Sequence, residues 1–236
     1  MTQQVTELRK KIKSLASAEI SDTMQWFFKT GKGEYGEGDR FAGLNVPTQR
    51  KISKQFKDLK LSELKILLCS RVHEERLIAL LILVNKYKNG NDKQRDQILS
   101  FYLQNRKGIN NWDLVDLSAP KIVGKHLLKK DKSLLNKLAQ SKNLWDRRIA
   151  ILSTYEFIRN NDFESTLKIA NILINDKHDL IHKAVGWMLR EVGNKNLRSE
   201  ETFLKKYYRR MPRTMLRYAI EKFPESKRKK YLQGKI

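Results

Sequence analysis

The 236-residue chain has little cysteine and no long hydrophobic run, and each shortage excludes a class of protein. Cys69 is the only cysteine, which excludes an internal disulfide and a cysteine-based zinc site. The first twenty residues predict an amphipathic helix with Val5, Leu8, Ile12 and Leu15 on one face, and they lack the apolar core of a signal peptide. No run reaches the length of a membrane span. We therefore expect a soluble, cytoplasmic protein with no membrane partner.

Proline is scarce, and runs of alternating β-branched residues are missing. Apolar residues recur instead at helical spacing along nearly the whole chain, which favours α-helices. Three of the four prolines, Pro47, Pro212 and Pro224, open segments whose pattern is helical, and proline is well tolerated at the first turn of a helix. The sequence therefore predicts an all-α fold with short joints.

Three of these helical segments share a weak repeat, in which a basic residue stands three positions before a small one. With Ala119 and Ala219 added, the small residues are spaced by 40, 31, 36 and 33 positions, near the period of two-helix solenoid repeats. Stacked repeats curve and line a concave face with their inner helices. We therefore expect an α-α superhelix, a HEAT-like repeat solenoid with a concave basic face, although any helical bundle yields some such matches. The pairs are Arg76 and Ala79, Arg147 and Ala150, and Lys183 and Gly186.

A glycine-rich segment from Lys29 to Pro47 interrupts the helical pattern. It contains G-x-G-x-x-G over Gly31–Gly36, but a dinucleotide site needs a strand before this motif, and here the preceding residues end a helix. A structural or lid-like loop is expected instead. We expect a single domain over 1–236, with N-terminal helices and this loop in 1–47 and the repeat array in 48–236.

Acidic residues are outnumbered: 49 lysines and arginines stand against 26 aspartates and glutamates, for a formal charge of +23. Such an excess repels itself, and a polyanion offsets that repulsion. Nucleic acid is the first candidate and an anionic membrane the second. A basic protein with a solvated charged surface is the alternative.

The stretch INNWDLVDLSAPKIVG carries a candidate for chemistry. On a helix, Trp112 and Asp116 share a face, while Asp113 points to another side and suits the helix start. A carboxylate beside an indole, in so basic a protein, is a candidate for stabilising a cation. A core tryptophan with a solvated aspartate is the alternative.

Further aromatic and basic residues interleave in the later repeats. Trp187 stands in KAVGWMLRE with Arg190 three residues on, and LWDRRIA contains Trp145 with two arginines. Helix-borne cations interleaved with tryptophans suit a reader of the DNA backbone that also stacks on sugar or base. Trp187 also suits a core position. The candidate DNA contacts are Arg147, Arg148, Lys183, Arg190 and Arg217.

Other patterns carry little chemistry. His178 and His182 have the spacing of a metalloprotease helix, but Asp179 replaces the required glutamate and no third ligand is evident. His73 in HEERL is interpreted as a helix-start residue. No nucleophile-elbow, phosphate-loop or kinase signature is present, so neither a metal nor a cofactor is expected.

The order and spacing of three motifs identify a family. The motifs are NNWDLVDLSAP with Trp112 and Asp116, LWDRRIAIL with Arg148, and HKAVGWMLRE with Trp187 and Arg190. They resemble the AlkD-type DNA alkylation repair proteins, a bacterial family of HEAT-like repeat DNA glycosylases. The likeness extends from about Phe27 to MPRTMLRYAIEKFPE.

The resemblance implies excision of N3- or N7-alkylated purines from duplex DNA by hydrolysis of the bond between base and deoxyribose. It implies Asp116 as the catalytic carboxylate, Trp112 and Trp187 as the lesion-facing indoles, and Arg148 and Arg190 as phosphate contacts. A family tyrosine falls on Phe27, which is counted among the DNA-binding residues although it lacks the hydroxyl. The glycine-rich loop is longer than in the best-known members.

Three functional hypotheses follow. The first is a monomeric glycosylase for cationic alkylpurines that needs no obligate protein partner. The second is a non-catalytic protein that binds branched or damaged DNA through the same basic groove. The third is a repeat adaptor for an acidic protein or structured RNA, for which the two tryptophans and Asp116 are unnecessary.

Overall fold

The computed structural model describes residues 2–236, which are helical over most of their length. The chain folds into two compact units, Met1–Ser118 and Ala119–Ile236. In the described residues the β-type pairing is limited to one isolated bridge between Arg40 and Val72, so the predicted all-α class is confirmed. No helix in this part of the chain has both the length and the hydropathy needed to cross a membrane.

The first unit is built around one long central helix, α5. This helix is buried over most of its length and packs against α3, α4 and α6. It is apolar on all sides from Leu77 to Leu83, as expected of a helix enclosed by others. A 3₁₀ turn, Arg106–Gly108, lies between the last two helices of the unit. The helices are α1 Gln3–Ser14, α2 Ala18–Phe27, α3 Val46–Gln55, α4 Leu61–Leu68, α5 His73–Asn89, α6 Asp92–Gln104 and α7 Trp112–Ala119.

The second unit has two central helices, α10 and α12, which pack on each other. α9 and α11 pack against α10, and α13 and α14 pack against α12. The three predicted repeat segments are thus the three long buried helices α5, α10 and α12, although two of them lie in the second unit. The helices are α8 Lys125–Leu127, α9 Ser133–Ala139, α10 Leu144–Arg159, α11 Glu164–Ile172, α12 Asp179–Lys195, α13 Leu197–Tyr207, α14 Arg213–Ala219 and α15 Glu225–Leu232.

Proline positions follow the predicted helix starts. Pro47 lies in the first turn of α3, and Pro212 and Pro224 directly precede α14 and α15. Pro120 has no backbone N–H to donate, and the chain continues there as a π-helical turn, Pro120–Gly124.

The N-terminal helix agrees with its predicted apolar face except at one end. Val5, Leu8 and Ile12 are buried, whereas Leu15 is 43% exposed. The difference arises because α1 ends at Ser14, so Leu15 is no longer in helical register with the other three.

The glycine-rich segment is an ordered part of the first unit. The buried carboxylate of Glu74, at the start of α5, accepts hydrogen bonds from the backbone N–H groups of Ala42, Gly43 and Leu44 at 2.9, 2.9 and 3.2 Å. Gly43 has a positive φ of 84°, and a Cβ there would lie 2.1 Å from the carbonyl oxygen of Ser17. Both constraints require glycine.

Two backbone N–H groups of the dinucleotide-like motif already donate hydrogen bonds within the segment. Gly31 N–H donates to the Glu34 carboxylate and Gly33 N–H donates to that of Glu37, both at 2.9 Å. The segment follows α2 rather than a strand. A structural loop is therefore the right interpretation of this segment, and its own acids take the place that a phosphate would need.

The small residues of the repeat lie where helices approach closely. The four alanines of the repeat, Ala79, Ala119, Ala150 and Ala219, have no exposed surface. A Cβ on Gly186 of α12 would lie 2.4 Å from the carbonyl oxygen of Met215 in α14. The predicted role of the small residue in close packing is confirmed at this position.

Gly186→Ala should lower the free energy of unfolding. Overpacking against backbone costs about 1–3 kcal/mol, and the better helix propensity of alanine returns only about 1 kcal/mol. Urea unfolding followed by circular dichroism measures the change. A rise in stability would mean that α14 moves away freely and that the close approach is not required.

Candidate functional site

Helix α7 sets the positions of Trp112 and Asp116. The helix begins at Trp112, whose backbone N–H donates to the side-chain oxygen of Asn111 at 2.8 Å. Trp112 and Asp116 are half-buried and one turn apart, while Asp113 is 7% exposed and faces the interior. The two aspartates of this helix therefore differ in exposure, with Asp113 buried and Asp116 half-buried.

The Trp112 indole is supported by two phenylalanines from the end of α2. The ring of Phe28 stacks on the indole, with centroids 5.2 Å apart and an interplanar angle of 14°. The ring of Phe27 meets it edge-on at 5.9 Å, and Phe27 itself is 54% exposed. One indole face is therefore covered by protein.

The stack continues inward from Phe28. Phe41 stacks on Phe28 at 4.9 Å, and the imidazole of His73 stacks on Phe41 at 4.6 Å. We call the four rings Trp112, Phe28, Phe41 and His73 the aromatic column. The imidazole also lies 5.1 Å from Phe28, tilted by 39°, so Phe28 contacts Trp112 on one side and both Phe41 and His73 on the other. The column thus joins the half-buried indole to a histidine that is 1% exposed.

His73 lies between two carboxylates. Its Nε2 is 2.9 Å from Asp113 Oδ2, and its Nδ1 is 3.3 Å from Asp39 Oδ2. The Arg76 guanidinium donates to the same Asp39 oxygen at 2.7 Å, and the Asn111 amide lies at 3.3 Å from it. Two carboxylates thus face one guanidinium and one imidazole in a buried cluster.

The contacts within the cluster outweigh the effect of burial on the pKa values of His73 and Asp39. Burial alone would lower the pKa of His73, but the charges and hydrogen bonds of Asp113 and Asp39 outweigh it and raise that pKa above the ordinary 6.5. Burial likewise favours a higher pKa for Asp39, yet the hydrogen bond to His73 and the charge of Arg76 lower it. The two carboxylates therefore favour the protonated form of the imidazole.

Sequence reasoning missed this cluster. It correctly placed His73 at a helix start and Asp113 in the first turn of α7, but it did not connect them. The two residues are 40 positions apart, and Asp39 lies 34 positions before His73 inside the glycine-rich loop. The available signal was the polar HEER sequence at the start of an otherwise apolar helix.

Trp187 lies half-buried on α12 in the second unit. Its indole N–H donates to Glu191 at 3.0 Å, and the Tyr155 ring is 6.3 Å away. Arg190 forms an ion pair with Glu221, and a second with Glu191 at 3.6 Å. A hydrogen-bonded indole and an acid-paired arginine therefore stand side by side on this helix.

Arg147 is engaged inside the protein. Its guanidinium binds Asp176, with Nε 2.6 Å from Oδ2, and donates to the carbonyl oxygens of Ser141 and Lys142 at 3.1 and 3.0 Å. The side chain is 18% exposed. This guanidinium therefore anchors the loop before α10, and it is not assigned to a DNA phosphate.

Arg76 makes the corresponding contact in the first unit, donating to the carbonyl of Ser70, six positions earlier, as Arg147 does to Ser141. In these two repeat segments the basic residue thus ties the preceding loop to its own helix. Arg148 is also internal: it is 5% exposed and donates to the Leu180 carbonyl at 2.6 Å.

The positive charge is unevenly divided. Residues 119–236 contain 28 lysines and arginines against 12 acids, whereas residues 1–118 contain 21 against 14. Lys183 on α12 pairs with Asp179 at 2.7 Å and keeps 42% of its side chain exposed, and Arg217 on α14 is exposed. The second unit therefore provides most of the surplus that a polyanion would meet.

The histidine pair takes part in local structure. The His178 side chain caps α12 by accepting the Leu180 N–H at 3.1 Å, and a ring nitrogen of His182 contacts the Asp176 carbonyl. In residues 2–236 no three histidine, cysteine or acidic side chains are grouped so as to hold a metal ion.

Comparison with known proteins gives a family and a related solved structure. A family model described as DNA alkylation repair enzyme matches residues 8–223. A solved structure titled as a predicted DNA alkylation repair enzyme from Enterococcus faecalis matches with a TM-score of 0.69 and 18% identity, over 89% of this chain and 97% of that chain. At this identity the likeness shows a shared helical fold. No curated protein matches the sequence.

The raised pKa of His73 predicts how stability depends on pH. A group whose pKa rises on folding stabilises the protein fully below its unfolded pKa, and this contribution is lost as the pH rises through the folded pKa. The free energy of unfolding should therefore fall from about pH 6.5 upward, and His73→Gln should abolish that part of the fall. Urea unfolding across this range measures it, with His126→Gln as the control that should keep the wild-type slope. An unchanged slope in His73→Gln would show that the imidazole is neutral in the folded protein.

Proposed function

Because the chain belongs to the DNA alkylation repair enzyme family, we propose that it is a DNA glycosylase that excises N3- and N7-alkylated purines from duplex DNA. The reaction is hydrolysis of the bond between base and deoxyribose. The observation that carries the proposal is the half-buried pair of Trp112 and Asp116 on α7, with the indole braced by the aromatic column. A braced indole one turn from a carboxylate suits the stabilisation of a cation.

The substrate class follows from leaving-group chemistry. Alkylation at N3 or N7 makes the purine positively charged, so it leaves as a neutral base and needs no general acid. Departure of the base builds oxocarbenium character on the sugar, as in glycoside hydrolysis. Ordinary bases leave poorly, so lesion selectivity comes from the lability of the cationic base, without a fitted pocket.

Asp116 is the proposed catalytic carboxylate. It stabilises the developing positive charge of the sugar and positions the water that attacks the anomeric carbon. A half-buried site suits this role, since an electrostatic interaction is stronger there than in bulk water. Asp113 is unsuited to it because its carboxylate is buried against His73.

Trp112 and Trp187 are the proposed indole contacts to the lesion. An electron-rich ring face attracts a cationic sugar or base by about 0.5–2 kcal/mol. One face of Trp112 is covered by Phe28, so the contact uses the other face. The hydrogen bond from Trp187 to Glu191 fixes the second indole separately within its own unit.

We assign the phosphate contacts to basic residues that are at least partly accessible to solvent. Lys183, Arg190 and Arg217 are half-buried or exposed, whereas Arg148 is 5% exposed. Arg190 exchanges its ion pair with Glu221 for a DNA phosphate, and both are charge-assisted contacts. Arg148 keeps its bond to the Leu180 carbonyl and supports the start of α12 from within.

A second candidate function is binding of branched or damaged DNA without catalysis. The observation that favours it is Phe27, which contacts Trp112 but lacks the hydroxyl that the family tyrosine would bring. The uneven positive charge serves this role equally well. The two candidates differ in whether Asp116 is needed.

Asp116→Asn should reduce release of 7-methylguanine and 3-methyladenine from methylated duplex DNA on the order of 100-fold. The reason is that the amide cannot stabilise a positive sugar. Released bases are measured by liquid chromatography and mass spectrometry, with affinity for the same duplex measured in parallel and expected within about twofold. Asp58→Asn is the control, since it makes the same change at an exposed acid of the first unit.

Three outcomes separate the candidates. Wild-type protein that frees no base above the spontaneous rate contradicts the glycosylase proposal for these lesions. Preferential binding to junctions or flaps, equal in wild type and Asp116→Asn, supports the non-catalytic candidate. Failure to bind duplex DNA at moderate salt contradicts both and leaves the repeat adaptor.

Arg217→Ala should weaken binding to undamaged duplex DNA and reduce the slope of log affinity against log salt by about one. For each phosphate contact that the variant lacks, binding releases about one fewer counterion from the DNA. Fluorescence anisotropy over a salt series measures the slope. Arg50→Ala, an exposed arginine of the first unit, is the control, and an equal change in both variants would show that only total charge matters.

A further inference from the structure

We propose that His73 is a positioning residue that fixes the Trp112 indole, although its own ring is buried and cannot touch DNA. The consequence for catalysis rests on the function proposed above, whereas the consequence for the indole does not. His73 reaches Trp112 by two independent routes, one through the backbone of α7 and one through stacked rings.

The first route is the hydrogen bond between His73 Nε2 and Asp113, at 2.9 Å. Asp113 directly follows Trp112 in the first turn of α7. The bond therefore fixes the start of that helix against α5, and with it the backbone from which the indole projects. Asn111, on the other side of Trp112, contacts Asp39, the second carboxylate beside His73.

The second route is the aromatic column. The imidazole lies 4.6 Å from Phe41 at an interplanar angle of 24°, Phe41 lies 4.9 Å from Phe28 at 23°, and Phe28 lies 5.2 Å from Trp112 at 14°. Each ring limits the tilt of the next, because close-packed interiors leave little room for a ring to turn. The imidazole also contacts Phe28 directly, at 5.1 Å and 39°. It therefore supports the ring that stacks on the indole both directly and through Phe41.

Histidine meets both requirements at once. Its two ring nitrogens reach two carboxylates on opposite sides, and its flat face stacks on Phe41. The carboxylates in turn fix the ring plane, since rotation would break both contacts. Glutamine has no ring to stack. Phenylalanine would stack, but it would leave Asp113 buried without its imidazole partner and would remove one of the partners of Asp39.

The test compares His73→Gln and Asp113→Asn with wild type. His73→Gln removes the ring, and Asp113→Asn weakens the first route while leaving every ring in place. His126→Gln is the matched control, because His126 lies in the second unit and outside the column. Thermal unfolding of each variant shows whether it is folded at the assay temperature.

The first readout follows the indole itself. In a background with Trp26→Phe, Trp145→Phe and Trp187→Phe, the tryptophan emission, excited selectively over that of the tyrosines, comes from Trp112 alone. Acrylamide quenching of Trp112 should rise about twofold in His73→Gln, because an unbraced indole is more mobile and more accessible. The rise should be smaller in Asp113→Asn and absent in His126→Gln.

The second readout is base release by the protein with all four tryptophans. The single-turnover rate on methylated duplex should fall about tenfold in His73→Gln, since small misplacements of a positioned group cost large factors in rate. Affinity for the duplex should stay within about twofold. A loss confined to rate separates positioning from binding.

Wild-type quenching of Trp112 in folded His73→Gln overturns the proposal, whatever happens to the rate. A fall in affinity alone also overturns it. If His73→Gln does not fold, the same two readouts on Asp113→Asn decide. If wild-type protein releases no base, the proposed function fails while the quenching result still decides the role of His73.

Discussion

The first unit depends on the pairing of buried charges around His73. Asp39 comes from the loop, His73 and Arg76 from α5, and Asp113 from α7, so one cluster joins three segments that are distant in sequence. Buried ions are tolerated only when they are paired, because an unpaired one costs several kcal/mol. If one member of the cluster moved away, its partner would be left buried and unpaired. The cluster therefore fixes where the loop and α7 sit on α5.

This constraint explains why the loop is ordered although it is rich in glycine. Its amides are satisfied in two ways, by Glu74 from α5 and by its own Glu34 and Glu37. Phe41 within the segment then stacks on Phe28, the residue that directly precedes it. The segment that a motif search would assign to phosphate binding is a scaffold for the Trp112 indole.

Helical periodicity predicted the architecture well and the internal contacts poorly. The apolar pattern and the small residues located α5, α10 and α12, because burial and close packing leave a local signature with a period of 3.6 residues. The same local pattern carried no information about the partner of His73, because hydrogen bonds across 34 and 40 positions depend on the tertiary fold.

Arginines illustrate the same limit. Arg147 and Arg148 looked like DNA contacts because they are basic, adjacent to Trp145 and placed at a repeat position. In the structure both guanidinium groups donate hydrogen bonds to backbone carbonyl oxygens, and that of Arg147 also binds the Asp176 carboxylate. Residue type alone does not distinguish a guanidinium that ties a loop from one that meets solvent. Of the five basic residues predicted to contact DNA, Lys183, Arg190 and Arg217 remain as candidate phosphate contacts.

Internal ion pairs change where the charge of this protein is, but not how much there is. Each pair such as Arg76 with Asp39, or Arg147 with Asp176, removes one cation and one anion together. The formal surplus of +23 thus falls entirely on the remaining cations, and mobile anions of the solution gather around it. When a polyanion takes their place, those ions return to bulk solvent, so the entropy of small ions drives association.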